Sequence, residues 1–276
     1  MSRKPRILFV ILTWNSEKHV ESCIESIVHC KEIDPIIRVV DNGSSDTTSA
    51  ILRRLSDEYV EVCPMFLDEN LGNTVSRNIA LQKLTEMDDY VCVLDSDTVV
   101  NEQALLRLVK VLNDDHSIGI VGPTMSDSLG VVQQSGRNLP TLGIKLAKAF
   151  PCSVVQNKGV QLETPKSPIL NHLQDVPYLI SACWLVPSRV FEIVGLFDEH
   201  IFYAPEDVDW CVRVSKAGYR IVRCWDAQIV HEYQRISTKR FFSKMNFEHL
   251  KGLAYFFRKH GYLFSSNKIS KQIRKA

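Results

Sequence analysis

The chain has 276 residues, a net charge of +1 and 45% hydrophobic side chains, enough for one large α/β domain or two small ones with a sizeable core. The near-neutral charge excludes a broad nucleic-acid footprint. No apolar run approaches the roughly 18 residues of a membrane span, so no transmembrane segment is predicted.

The basic opening Met1-Ser2-Arg3-Lys4-Pro5-Arg6 precedes an apolar stretch over residues 7–12. That stretch is too short for a signal-peptide core and runs into the polar Thr13-Trp14-Asn15, so it reads as a first strand. Residues 16–29 carry Val20, Cys23, Ile24 and Ile27 at helical spacing. A second strand over 36–40 ends in Asp41-Asn42-Gly43-Ser44-Ser45-Asp46, and a helix over 47–55 follows. A short strand over 60–67, a turn at Asn70-Leu71-Gly72-Asn73 and a helix over 74–84 come next. Residues 90–94 form an apolar, β-prone run that ends in Asp95-Ser96-Asp97, before a helix over 102–112 and a strand over 118–121. This alternation implies a largely parallel sheet flanked by helices.

The second half is less regular. A strand end is expected over 133–137, and residues 140–175 read as a long variable loop with one helix over 143–150. Strand and turn over 176–186 lead to a helix over 188–194 stopped by Gly195, then a helix over 206–217 with Gly218 at its end. Two strands are expected over 219–224 and 227–230. The tail from Arg235 mixes basic and aromatic residues and predicts helices packed on the core, or a face for an anionic bilayer. The eight cysteines form no Cys-x-x-Cys pair, which argues against a zinc or redox motif. Cys92, Cys183 and Cys211 lie in apolar segments and are expected in the core; a reducing cytoplasm suits the chain.

The polar residues that follow the strands carry the chemistry. In an open α/β sheet, ligands bind at the carboxyl ends of the strands. Asp95 and Asp97 leave such an end with both side chains on one side of an extended backbone, a pair of hard oxygen ligands suited to Mg²⁺ or Mn²⁺. Asp41 is too early to cap the next helix, a task left to Ser45 or Asp46. Arg77, followed by Asn78, is a cation able to grip a diphosphate or a solvated surface group. Ala204-Pro205-Glu206-Asp207-Val208-Asp209-Trp210 starts a helix with more acid than a cap needs, close to Phe202 and Tyr203. A carboxylate there suits a general base for a hydroxyl. His231, at a strand end, is a possible third metal ligand or a structural imidazole.

In chain order, Leu12-Thr13-Trp14-Asn15, Val40-Asp41-Asn42, Asn70-Leu71-Gly72 with Arg77-Asn78, Leu94-Asp95-Ser96-Asp97, Gly195-Leu196-Phe197-Asp198-Glu199, Glu206-Asp207-Val208-Asp209 and His231 together resemble family-2 glycosyltransferases of the GT-A fold. The block Gly195 to Glu199 ahead of Glu206 is most similar to the rhamnosyltransferase-like branch. The resemblance implies a Rossmann-like, mixed but mostly parallel sheet flanked by helices, in a single compact domain with a C-terminal helical tail. Within it, residues 1–125 would be the nucleotide-sugar-binding half, 126–235 the acceptor half with the catalytic base, and 236–276 the basic aromatic tail. It implies an inverting enzyme that takes a nucleotide-diphospho-sugar (a UDP- or dTDP-sugar) to a glycan or lipid-linked acceptor with Mn²⁺ or Mg²⁺. Thr13, Asn15, Asp41, Asn42, Asn70, Gly72, Arg77, Asp95 and Ser96 would hold the donor, with Asp41 near the base and Arg77 near the diphosphate. Asp97, Asp95 and His231 would hold the metal, and Asp207, ahead of Glu206, would be the general base. A cytoplasmic enzyme, with peripheral contact at the inner face of the membrane through its tail, fits such a role. The chain departs from the family's His-x-x-Gly-x-Ser pattern, since Gln234 stands in place of the glycine and Ser237 comes one position late.

Two rivals share parts of this pattern. A haloacid-dehalogenase-like phosphatase would use Asp95 as nucleophile, but its motif normally opens the domain, and a long βα pattern precedes Asp95. A non-catalytic domain that binds a sugar nucleotide or a glycan would have no need of the acids at 95, 97 and 207. Sugar nucleotidyltransferases require a Gly-rich basic loop after the first strand, which Thr13-Trp14-Asn15-Ser16-Glu17 is not.

Overall fold

The computed structural model describes residues 3–82, 89–232, 244–267 and 269. Strands β1 (Arg6–Thr13), β2 (Asp34–Asn42), β3 (Val62–Leu67) and β4 (Tyr90–Asp95) alternate with helices α1 (Val20–Val28), α2 (Thr48–Glu58) and α3 (Asn73–Leu81). After them come β5 (Thr98–Val99), α4 (Glu102–Asp114), β6 (Ile118–Ser126), β7 (Val132–Gln133) and β8 (Gly136–Arg137). Helices α5 (Leu142–Ala149) and α6 (Ser153–Glu163) precede β9 (Ile169–Leu170), β10 (Leu173–Asp175), β11 (Tyr178–Leu179) and β12 (Cys183–Pro187). The last elements are α7 (Ser188–Val194), α8 (Glu206–Lys216), β13 (Arg220–His231) and α9 (Lys244–His260).

Among the described residues the main sheet has 11 strands in the order β3-β2-β1-β4-β12-β6-β13-β10-β9, with β5 paired to β13 and β7 to β6. The β1, β2, β3 and β4 pairings are parallel, as is β6 with β13, while β12 runs antiparallel between β4 and β6. Strand alternation divides the core. Ile7, Phe9, Ile11, Cys92 and Leu94 face α1, α2 and α4, whereas Leu8, Val10, Val91 and Val93 face α3, α7, α8 and α9. Both faces are covered, which is why the strands read as continuous apolar runs rather than alternating ones. Register aligns the strand ends: Thr13 lies opposite Asp41, and Leu12 opposite Asp95. Cys92, Cys183 and Cys211 are buried, and all eight cysteines are free.

Four expectations need correction. Residues 140–175 are not mainly loop; they hold α5, α6 and the β9–β10 hairpin. The sixth strand runs on through Pro123 to Ser126, because those residues pair with β13. The two expected strands after Gly218 are one, β13, with a register shift between Cys224 and Gln228. Trp210 does not join Phe202 and Tyr203; it stacks on Phe191 at 4.4 Å and Trp184 at 5.7 Å in the core.

The end of the helix expected over 74–84, the run 233–243 with Ser237, and the basic residues Lys268, Lys271, Arg274 and Lys275 lie outside the described residues. The tail helix α9 buries Leu253, Phe256 and Phe257 against the core. Asp209, surplus to helix capping, anchors it by accepting from Lys259 Nζ at 2.7 Å and His260 Nε2 at 2.8 Å. Asp198 adds Tyr255 Oη at 3.0 Å and Lys259 Nζ at 2.6 Å, and these donors hold its carboxyl well below the usual carboxylate range against the opposing effect of burial.

Candidate active site

The acids after β4 meet a histidine brought from far along the chain. His231 pairs with Thr98 across the β13–β5 ladder, and Glu232 N–H donates to Asp97 O at 2.9 Å. His231 Nε2 thereby lies 3.3 Å from Asp97 Oδ1. One ligand atom from each of Asp95, Asp97 and His231 falls within 4.8 Å of the others. Gln133 Oε1 accepts from His231 Nδ1 at 2.7 Å, and Gln133 Nε2 donates to His231 O at 2.7 Å. In the tautomer that this pairing selects, the Nε2 lone pair points toward the two carboxylates. Burial lowers the His231 pKa, but the Asp97 hydrogen bond and the Asp95 and Asp97 charges outweigh it and raise the net value. Two carboxylates and an oriented imidazole suit a divalent cation such as Mn²⁺, which neutralises that carboxylate charge.

Arg77 joins this group to the acids of α8. Its guanidinium is 2% exposed and donates to Asp95 Oδ1 at 2.9 Å, Glu206 Oε1 at 3.2 Å and Ser181 Oγ at 2.9 Å. Asn73 Nδ2 also donates to Glu206 Oε1, at 3.0 Å. Burial pushes Glu206 up to about 7; the adjacent Asp207 charge adds to the shift, and Arg77 opposes it. Asp207 is half-buried, and its Oδ1 accepts the Val208 N–H at 2.7 Å at the start of α8. Burial raises its pKa, while Val208 N–H, Arg137, Lys145 and Arg77 favour the anion.

A cleft of about 170 Å³ opens at the strand ends. Of the predicted donor residues, Asn42, Asn70, Gly72, Arg77, Asp95 and Ser96 line it with Asp97, and Phe202 and Tyr203 close the far side. Thr13 is buried beneath it, its Oγ1 donating to Val40 O at 3.4 Å. Asn15 and Asp41 brace the loops: Asn15 Oδ1 accepts Ser45 N–H at 2.8 Å, and Asp41 accepts Ser44 N–H at 3.2 Å and the Ser49 hydroxyl. The N-cap of α2, Thr47, makes no side-chain capping bond; Asp46, one residue earlier, satisfies the first helical N–H instead, its Oδ1 accepting Thr48 N–H at 3.0 Å. Asn42 is the hub of the cleft floor, with Leu71 N–H at 2.8 Å, Asn70 Oδ1 at 3.0 Å and Ser76 Oγ at 2.9 Å.

Gly72 fits where no side chain could. Its φ is 86°, and an added Cβ would lie 2.4 Å from Phe202 O. Next to it, Asn73 N–H donates to that same Phe202 oxygen at 2.7 Å. Gly72→Ala should therefore destabilise the fold by about 2–4 kcal/mol, from strained φ plus a backbone clash. Thermal melting checks this: an unchanged midpoint would mean that the 70–73 turn is not held against 202–203.

Sequence reasoning missed Gln133, Asn73, Ser181 and Arg137. Each acts through a partner distant in the chain, such as the 98-residue separation of Gln133 and His231, and no local spacing signals it.

The profile of Glycosyltransferase like family 2 matches residues 5–247, and the chain belongs to that family. It is 29% identical over 239 residues to the N-acetylglucosaminyl-diphospho-decaprenol L-rhamnosyltransferase of Mycobacterium tuberculosis, covering 80% of this chain and 74% of the relative. It is 25% identical to the dTDP-rhamnosyl transferase RfbF of Shigella flexneri, covering 84% and 71%. Among solved structures, it is similar to a mannosyltransferase from Pyrobaculum calidifontis in complex with GDP-Man and Mn²⁺, with a TM-score of 0.61, 19% identity and coverage of 94% of this chain and 64% of that one. S. aureus TarS 1–349 in complex with UDP-GlcNAc aligns with a TM-score of 0.63, 17% identity and coverage of 98% and 70%. The fold is thus GT-A, and the protein is a glycosyltransferase of family 2, similar to rhamnosyltransferases. Among the described residues, no helix is long and apolar enough to cross a membrane.

Proposed function

We propose that the protein is an inverting, metal-dependent transferase that moves a sugar from a nucleotide-diphospho-sugar to a hydroxyl of a glycan or lipid-linked acceptor. The observation that carries this reading is the Arg77 bracket, which joins the Asp95–Asp97–His231 ligand set to the Glu206–Asp207 pair. The mannosyltransferase complex holds GDP-Man and Mn²⁺, which supports a nucleotide-diphospho-sugar with a metal, and the UDP-GlcNAc complex of TarS and the dTDP-rhamnosyl transferase RfbF support a UDP- or dTDP-sugar donor. Residues 1–125 form the donor half, 126–235 the acceptor half and 236–276 the tail.

The donor diphosphate lies in the cleft beside Arg77, and the nucleotide extends toward the loops that Asp41 and Asn15 brace. The cleft is smaller than the roughly 300–1,000 Å³ of ordinary ligand pockets, so much of the donor lies in its open mouth. Asp95, Asp97 and His231 would hold Mn²⁺ or Mg²⁺, and the cation would supply positive charge against that of the departing diphosphate. A hydroxyl is a weak nucleophile at neutral pH, and Asp207 takes its proton as the oxygen attacks the anomeric carbon from the face opposite the diphosphate. Asp207 suits this better than Glu206, because Glu206 is 6% exposed and already engaged by Arg77 and Asn73.

The test is a donor panel with Mn²⁺ or Mg²⁺, scored by release of nucleoside diphosphate. Asp97→Ala should weaken metal-dependent donor affinity by roughly 10–100-fold or more, the scale of a disrupted metal shell. Unchanged calorimetric affinity in the presence of metal would remove Asp97 from that role. Peripheral membrane contact belongs to the same reading: α9 leaves Phe247 and Leu250 exposed beside Lys251. Flotation with anionic liposomes should be lost in the combined variant Phe247→Ser and Leu250→Ser, which spares the buried face of α9, and a variant that still floats would refute the contact.

A further inference from the structure

A cavity of about 270 Å³ is walled by β7, β8, β10 and β13 and shares no residue with the donor cleft. Its polar wall is Gln133, Gln134, Thr164, Gln174, Arg223 and Trp225, without an acidic side chain. Arg223 stands opposite Gln174 in the β13–β10 ladder and is only 4% exposed. Among the described residues two arginines are this deeply buried, Arg77 and Arg223. Arg77 is met by two carboxylates, whereas Arg223 is met by none. Its Nη2 donates to Gln133 O at a long 3.4 Å, and its Nε has no hydrogen-bond partner among the described residues. The Trp225 ring covers one face of the guanidinium, with Cζ 3.8 Å from the ring centroid. Burial lowers the Arg223 pKa to about 10, which still leaves a cation at neutral pH. The neighbouring polar groups are engaged with one another. Gln134 Nε2 donates to Thr164 Oγ1 at 2.9 Å, Trp225 Nε1 to Gln174 Oε1 at 3.3 Å, and Gln174 Nε2 to Ser167 O at 3.0 Å. The spare donors of this wall therefore belong to the guanidinium. A desolvated cation without a counter-charge is costly to keep, and an anion in the cavity would remove that cost.

We propose that this cavity is a binding site for a carboxylate, gripped by Arg223 through the in-plane Nη hydrogens that Trp225 leaves uncovered. Stacking occupies the face of a guanidinium and leaves its edge, and the edge is where arginine takes a carboxylate. Charge balance selects the class of ligand. One buried cation matches a monoanion, whereas a phosphate dianion or a diphosphate would bring surplus negative charge into a wall with no second cation. The carboxylate is that of a free small acid or that of an acidic sugar; the chemistry at Arg223 is the same for both. The site stands apart from the donor cleft and does not depend on the transfer reading.

The experiment titrates the full chain with acetate, glucuronate and inorganic phosphate at pH 8 and constant ionic strength. Divalent metal is left out, so that no anion is held through a bound cation. The readout is the pair of ¹⁵N–¹H resonances from the Trp225 indole and the Arg223 Nε–H, assigned with Trp225→Phe and Arg223→Lys. Acetate and glucuronate should shift both resonances saturably, and each should bind more tightly than phosphate. Arg223→Met, which keeps volume and deletes the charge, should bind the carboxylates at least tenfold more weakly, as followed on the indole. Arg223→Lys, which keeps the charge and loses the planar fork, should be intermediate. Thermal melting confirms that each variant folds; if Arg223→Met does not, the wild-type and Arg223→Lys titrations decide. Glucuronate bound more tightly than acetate assigns the site to a sugar acid, and acetate bound at least as tightly assigns it to a small free acid. Absence of a saturable shift in the wild type, phosphate bound more tightly than either carboxylate, or undiminished binding by Arg223→Met or Arg223→Lys overturns the proposal. Arg223 would then be a cation that the Trp225 ring alone holds in the fold.

Discussion

Replacing Asp207 with Asn is expected to reduce sugar transfer by roughly 10²–10⁴-fold, the usual contribution of a positioned general base, while leaving donor binding intact. The amide keeps the shape and can still accept the Val208 N–H, so the start of α8 should not change. What disappears is the lone pair able to take a proton from the incoming hydroxyl. The pH profile provides a second readout. Burial raises the Asp207 pKa, so the wild-type rate should fall on the acid side at a pH above that of an ordinary aspartate. The Asn variant should lack that limb. Glu206→Gln serves as the comparison: its side chain is buried between Arg77 and Asn73, out of reach of an acceptor, and it should retain far more activity. Transfer by Asp207→Asn at the wild-type rate, with the acid limb intact, would exclude Asp207 as the base.

That prediction uses a residue proposed from sequence, and its neighbours show which parts of the candidate site a local pattern marks. Asp95, Asp97, Asp207 and His231 stand out because a polar group at the end of an apolar strand, or at the first turn of a helix, is a local pattern. The layered sheet could be read for the same reason: β1 is apolar without a break over residues 7–12 and β4 over 91–94, as strands covered on both faces must be. α6 offered no such signal. It buries Gly159 and Glu163, while Val154, Val160 and Leu162 are exposed, so its apolar residues do not mark its inner face. α5 is similar, with Ile144 its buried residue and Leu146 exposed. β6 runs past residue 121, the end expected from sequence: Gly122 and Pro123 are poor strand formers, yet pairing with β13 carries the strand through them. Asp209 looked like surplus charge because its partners Lys259 and His260 lie some 50 residues on. Arg77 is the strongest case. Either a surface arginine or a phosphate grip was open from its neighbours in sequence, but the residue is a buried bracket between Asp95 and Glu206, 129 residues away.

Removing that bracket should have a larger effect on stability than any other single change in the site. Arg77→Met keeps most of the side chain's volume and deletes the charge, leaving Asp95 and Glu206 without their shared cation. Breaking a buried ion pair from one side costs about 3–5 kcal/mol, because the remaining charge stays desolvated. The loss should depend on pH, with a sign that follows from Glu206. Its folded-state pKa is about 7, above the ordinary glutamate value, so the folded protein binds the proton more tightly than the unfolded chain does. Its contribution to stability is full below the unfolded pKa and declines as pH rises toward 7. Without Arg77 burial is opposed only by the hydrogen bonds from Asn73 and the backbone, so the folded pKa moves higher still and the decline continues into the alkaline range. Arg77→Met should thus be destabilised more at pH 8 than at pH 5, and Glu206→Gln in the same background should flatten much of the difference. Denaturant melts of the metal-free proteins at the two pH values measure it. Equal destabilisation at both would mean that Arg77 supports the site through packing and hydrogen bonds to Ser181 rather than through charge, and that the acids of β4 and α8 are not electrostatically linked.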